Sequence, residues 1–175
     1  PDGREAAYVI DQAEVWVAEI ATGMNRRIDP GTADFCLDPW VGADGTVRWL
    51  AWNVPDMPWD RSRVQWVSLA THERGEHEST GSVQQPRQLP DGSPVWVRDD
   101  TGWLNVWVGD RPLLGTTAAA AGEPLEHAGP TWGAGQRSYA WSPDGTTVAF
   151  TRNEGGFGRL CVTDRDVDAV LGRQR

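Results

Sequence analysis

Four times along this chain an Asp-Gly turn is followed by a short run of apolar and aromatic residues. That recurrence narrows the possible folds more than any other feature. The best-formed copy is Trp141-Ser142-Pro143-Asp144-Gly145, leading into Thr147-Val148-Ala149-Phe150. Looser copies are Asp91-Gly92 before Pro94-Val95-Trp96-Val97, Asp44-Gly45 before Val47-Arg48-Trp49-Leu50, and Asp2-Gly3 before Ala6-Ala7-Tyr8-Val9. Asp-Gly suits a tight hairpin because Gly accepts positive φ and Asp bonds its own turn backbone. These aspartates are therefore expected to be structural. They are spaced by 42, 47 and 53 residues. A period in the forties, built from short β-branched and aromatic segments, predicts four-stranded antiparallel blades and excludes a helical solenoid.

The expected fold is all-β: a partial β-propeller of about four blades, the terminal ones incomplete. The whole chain, 1–175, reads as a single propeller fragment. Its blade-like units fall at about 1–33, 34–80, 81–128 and 129–165, with an irregular tail at 166–175. Second strands are predicted at Ala6 to Ile10, Val47 to Asn53, Val95 to Arg98 and Thr147 to Thr151. Third strands are predicted at Glu14 to Ile20, Val64 to Leu69, Asn105 to Val108 and Gly158 to Thr163. Ser138 to Ser142 reads as a first strand, and Arg111 to Leu114 as a short outer one. Thr71 to Thr80, Gly115 to Gln136 and Arg152 to Phe157 read as loops. Trp49, Trp66, Trp96, Trp107 and Trp141 recur at matching strand positions, so they are expected to pack between blades.

Net charge is −9 with no lysine, which argues against a nucleic-acid partner. No apolar run reaches the length of a membrane span. No secretory leader is visible, which points to a cytoplasmic location. The chain starts at Pro1 inside a repeat and reads as a fragment. Cys36 and Cys161 lie far apart in strand-like runs, as buried free thiols do.

Signals for chemistry are absent. No G-x-S-x-G elbow occurs, and Ser142 precedes a proline in a hairpin turn. His72, His77 and His127 read as loop residues without a matched Ser and Asp. The acidic surroundings of His72 and His77 fit no zinc spacing. No phosphate-binding glycine motif is present. No catalytic, metal-binding or cofactor-binding residue is expected.

One longer pattern is more specific. Leu50-Ala51-Trp52, Pro55-Asp56-Met57-Pro58-Trp59-Asp60 and Val64-Gln65-Trp66-Val67 together resemble a segment of bacterial acylaminoacyl-peptidase-like proteins of the prolyl oligopeptidase family. Asp99-Asp100-Thr101-Gly102-Trp103-Leu104-Asn105 and Asn153-Glu154-Gly155-Gly156-Phe157 are similar to further segments of that family. The resemblance spans roughly Asp2 to Asp164 and covers only the propeller. It implies that the parent protein is a serine peptidase. Its propeller would gate and select peptide substrates for a C-terminal α/β-hydrolase domain that carries the catalytic triad.

Hairpin topology places the Asp-Gly turns on one face of the disc and the loops between second and third strands on the other. Binding residues concentrate on long loops over a rigid scaffold. The candidate substrate-facing residues are therefore Asp56, Trp59, Asp60, Asp100, Trp103, Arg152 and Glu154. Arg152 and Glu154 would engage peptide termini or charged side chains, and Trp59 and Trp103 apolar ones. The competing reading is that these residues brace neighbouring loops. A stand-alone TolB-like interaction module and a carbohydrate-binding propeller are the alternative functions.

Overall fold

The computed structural model describes residues 3–78, 81–114, 125–131 and 133–165, without the side chains of residues 78 and 154. Pro1, Asp2, Trp132 and the tail 166–175 lie outside it, as does most of the long connection at 115–124. Every regular element among the described residues is a strand. The first sheet holds β1 (Glu5–Ile10), β2 (Glu14–Glu19) and β3 (Asn25–Arg27). The second holds β4 (Phe35–Val41), β5 (Thr46–Trp52), β6 (Arg63–Ser68) and β7 (Arg74–Glu78). The third holds β8 (Val83–Gln88), β9 (Pro94–Arg98), β10 (Asn105–Val108) and β11 (Arg111–Pro112). The fourth holds β12 (Tyr139–Trp141), β13 (Thr147–Glu154) and β14 (Phe157–Asp164). Each sheet is an antiparallel meander in chain order. Together the four form an open, propeller-like arrangement, with β1 against β4 and β4 against β8.

The core lies between sheets. In β5, successive side chains point to opposite faces. Val47, Trp49 and Ala51 join Val15, Val17, Ile28 and Cys36 against the first sheet. Leu50 and Trp52 pack on the other face with Leu37 and Phe35, and the Phe35 and Trp52 rings stack at 5.2 Å. β9 divides in the same way. Trp96 packs with Val64, Val83 and Trp107 toward the second sheet. Val95 and Val97 pack with Tyr139, Val148 and Phe150 toward the fourth. The predicted tryptophan packing holds for Trp49, Trp96 and Trp107, which are buried, whereas Trp66 and Trp141 are half-buried. Beyond the fourth sheet's packed side, Leu160 and Val162 of β14 are exposed.

The three described Asp-Gly turns share one bond pattern. The backbone N–H groups of Thr46, Ser93 and Thr146 donate to Oδ1 of Asp44, Asp91 and Asp144 at 3.0, 2.9 and 3.1 Å. Two turns are also gripped by the following sheet. Gln88 Nε2 donates to Asp44 at 3.2 Å, and Arg165 pairs with Asp91 at 2.6 Å. Gly145 is needed twice over: its φ is +70°, and a Cβ there would sit 2.8 Å from the Pro90 ring.

The structure departs from the sequence reading in the outer strands. The polar segment read as a connection at Thr71 to Thr80 contains β7, paired along β6 from Arg63↔Glu78 to Val67↔Arg74. An outermost strand needs little apolar alternation, because its backbone bonds carry it. The one local signal is Gly75, where a Cβ would meet the Trp66 ring at 2.5 Å. β13 and β14 are longer than expected, pairing as far as Glu154↔Phe157 around Gly155-Gly156. Both of those glycines have positive φ, as a two-residue hairpin turn of this kind requires. The predicted loop at Arg152 to Phe157 is therefore mostly strand.

Two predictions follow from this packing. Trp49 is fully buried and its indole N–H donates to Gln65 at 3.2 Å. Trp49→Ala is expected to cost about 3–5 kcal/mol of stability, measured by urea unfolding. Opposed by some burial, Arg48 and the Thr46 N–H hold the Asp44 carboxyl at about 2. The Ser93 N–H with Arg165 does the same for Asp91, and the Ser142 hydroxyl with the Thr146 N–H for Asp144. A lowered folded-state pKa means stability present above the unfolded value near 4 and lost as pH falls toward 2. Melting temperatures taken across that window should fall less steeply for Asp44→Asn, Asp91→Asn and Asp144→Asn than for the unaltered protein.

Candidate functional site

Five of the seven sequence-predicted residues lie in two inter-strand loops, and the other two, Arg152 and Glu154, lie in a strand. Residues 53–62 join β5 to β6 through a cis Val54-Pro55 bond. Within this loop the Met57 N–H donates to Asp60 Oδ2 at 3.0 Å, and the Asp60 N–H donates to the Met57 carbonyl at 2.9 Å. The aspartate thus closes its own turn. Asp56 and Trp59 are half-buried beside it. In the loop from β9 to β10, Asp100 pairs with Arg98, whose guanidinium lies 4.5 Å over the Trp107 ring. Trp103 in that loop is 41% exposed. Arg152 is a half-buried member of β13 opposite Arg159, and Glu154 ends the same strand opposite Phe157. The seven residues thus lie at the ends of three successive sheets.

His72 and His127 lie in connections between strands, as the sequence reading has them, and His77 does not. His77 lies in β7 and stacks on Trp96 at 4.3 Å. His127 is buried against Phe150, between the third and fourth sheets. Burial, reinforced by the Arg152 charge, lowers His127 to about 4, so it is neutral at physiological pH. Its neighbour Glu126 ties the two sheets together. The Leu104 N–H donates to the Glu126 carboxylate at 2.8 Å, and the Asn153 N–H donates to the Glu126 carbonyl at 2.8 Å. Among the described residues no group of His, Cys, Asp and Glu could hold a metal ion.

A polar cluster that the sequence reading did not single out lies along the first strands of the second and third sheets. β4 is bulged between Leu37 and Trp40, and β8 between Gln84 and Arg87. Asp38 and Gln85 occupy these bulges with φ of +53° and +54°, each followed by proline. Proline has no N–H to give a ladder, so it falls naturally where the pairing breaks. Asp38, Gln85 and Ser138 each stand six residues before an Asp-Gly turn. That shared offset is the sequence signal that could have revealed the cluster.

Gln85 is fully satisfied across the third and fourth sheets. Its amide donates to Thr131 Oγ1 at 3.1 Å and Ser138 Oγ at 3.2 Å, and it accepts from the Ser138 N–H at 2.8 Å. The Tyr139 hydroxyl donates to the Gln85 carbonyl at 2.6 Å. Asp38 is 3% exposed and receives two guanidiniums, Arg137 at 2.7 Å and Arg87 at 3.2 Å. One carboxylate thus joins the second sheet to the third and to the segment entering the fourth. Burial pushes it up to about 6, against the pull of Arg137. The folded protein then holds this proton more tightly than the unfolded chain, so stability falls as pH rises from about 4 to about 6. Asp38→Asn keeps a side chain tolerant of positive φ. This variant should lose that part of the pH dependence, as read from melting temperatures between pH 4 and 7.

No family model and no curated protein matches the sequence. Similarity appears among solved structures. A puromycin hydrolase is 21% identical with a TM-score of 0.69, covering 93% of this chain and 29% of its own. A puromycin-hydrolyzing peptidase of Mycobacterium tuberculosis is 23% identical with a TM-score of 0.70, covering 93% of this chain and 27% of its own. TolB from Acinetobacter baumannii is 17% identical with a TM-score of 0.67, covering 95% of this chain and 39% of its own. This chain therefore spans less than a third of the length of the hydrolases and under half that of TolB. At these identities the likeness is one of fold, shared by peptidase and TolB structures alike.

Proposed function

We propose that this chain is the non-catalytic propeller portion of a prolyl oligopeptidase-like serine peptidase. In this reading it is about four blades of a larger propeller that gates and selects peptides for an α/β-hydrolase domain. The observation that carries the proposal is the fold likeness to two puromycin-cleaving enzymes over 93% of this chain and under a third of theirs. The segments around Met57-Pro58-Trp59-Asp60 and Thr101-Gly102-Trp103 point to the same family. Asp56, Trp59, Asp60, Asp100, Trp103, Arg152 and Glu154 then belong to the face that meets substrate and the hydrolase domain. A second reading, a TolB-like interaction module without peptidase activity, draws on the comparable likeness to TolB.

The two readings separate in the full-length protein. A fluorophosphonate probe should label one serine if a hydrolase domain is present, and no labelling would favour the TolB-like module. Arg152→Ala is expected to lower kcat/KM for acidic peptides relative to neutral ones, and Glu154→Ala for basic peptides, each by about threefold or more. Unchanged specificity constants across a charged peptide panel would remove both residues from the substrate face.

A further inference from the structure

The stack of sheets has a direction. Trp49 of the second sheet packs with Val15 and Val17 of the first. Trp96 and Trp107 of the third pack with Val64 of the second, and His77 stacks beside them. Tyr139 and Phe150 of the fourth pack with Val95, Val97 and Val106 of the third. In all three junctions the later sheet brings Trp, Tyr or Phe rings, and the earlier one answers mainly with valines. Phe35 and Trp52, on the other side of the second sheet, stack on each other.

Each end of the stack carries half of such a junction. In the first sheet Tyr8 lies opposite Trp16, and Ala6 opposite Ala18. Side chains alternate between the faces of a strand, so these four lie on the side away from Val15 and Val17. The ring pair repeats that of Trp96 and Trp107 in the third sheet. Tyr8 and Trp16 are only half-buried, and among the described residues no core cluster includes them. In the fourth sheet Leu160 lies opposite Thr151, and Val162 opposite Ala149. They share the side away from Phe150 and Cys161, where Leu160 is 78% and Val162 66% exposed. Rings that lack aliphatic cover thus stand at one end, and aliphatic side chains that lack rings at the other.

We propose that a second copy of this chain supplies both missing halves. Leu160 and Val162 of each copy pack on Tyr8 and Trp16 of the other, and the two copies close a ring. Size favours the closed form over an open string. Three strands about 4.8 Å apart, with about six residues each at about 3.3 Å, make each end face roughly 300 Å². One junction buries about 600 Å² in total, short of a stable complex, whereas the two junctions of a ring bury about 1,200 Å² and reach that size. Such a contact joins unlike surfaces, and it stops growing only when the ring closes. Two copies give about eight sheets, within the usual range for propellers. The inference rests on the reading of this chain as part of a larger propeller and names what completes it.

Sedimentation velocity of the full-length protein tests this. The protein should run as a dimer at about 20 µM and dissociate on dilution. Leu160→Glu and Tyr8→Arg each place a charge in an apolar junction, and each should weaken association by about tenfold or more. Neither residue belongs to a core cluster, so far-ultraviolet circular dichroism should stay that of the unaltered chain. Mixed in equal amounts, the two variants should dimerise again. One junction of the mixed ring is then unaltered, and the other brings opposite charges together. A monomer at about 100 µM, as further blades of the same polypeptide would produce, overturns the proposal. So does a dimer indifferent to Leu160→Glu, or a mixture that stays monomeric. Fluorophosphonate labelling of the same protein reads the peptidase assignment separately, so either can fail while the other stands.

Discussion

Each inner strand must satisfy two neighbours at once, and the rest of the structure depends on that constraint. β5 sends Trp49 and Ala51 to one side and Leu50 and Trp52 to the other, so its sheet has no solvent-facing side at that depth. β9 does the same with Trp96 against Val95 and Val97. A sheet of this kind cannot be stable alone, because half of its apolar surface would meet water. Stacking supplies the missing cover, and the stack then fixes where every loop and turn emerges. The polar ends of the strands are the only places left for variation, and the candidate binding residues are found there.

The innermost strands show the opposite economy. Burying a carboxylate such as Asp38 carries a desolvation penalty of several kcal/mol unless it is paired and hydrogen-bonded. Here it is met by guanidiniums from β8 of the third sheet and from the segment that leads into the fourth. Gln85, one sheet on, reaches the same end with neutral partners. Both depend on a bulge that turns the backbone into positive φ just before a proline. Polar groups that would be liabilities in an apolar interface act as ties between sheets, and they demand correct register from each.

Much of the fold was legible because its signals are local. Asp44, Asp91 and Asp144 announce hairpins by chemistry that needs only the next two residues. The apolar alternation of Val47 to Trp52 marks a strand regardless of what covers it. β7 escaped notice for the converse reason: Arg74, Glu76 and Glu78 alternate with a glycine and a histidine, and the strand exists through its bonds to β6. His77 and His127 looked solvated because their neighbours in sequence are polar, yet their neighbours in space are Trp96 and Phe150. Asp38 and Arg137 are 99 residues apart, and no pattern within one repeat could join them. Asp60 and Asp100 lie in loops as their sequence setting suggests, whereas Arg152 and Glu154 fall in β13 because the Gly155-Gly156 turn lets the pairing run to Glu154↔Phe157.

The grip on each turn has a direction. Asp44 is held by Gln88 of the third sheet, and Asp91 by Arg165 at the end of the fourth. Both clasps point backward along the chain, so the third sheet consolidates the second and the fourth consolidates the third. Coupling of that form reaches one step, as in linear repeat proteins described by nearest-neighbour terms. A nascent chain would therefore complete the Asp44 and Asp91 turns only once the next blade-length of sequence had emerged.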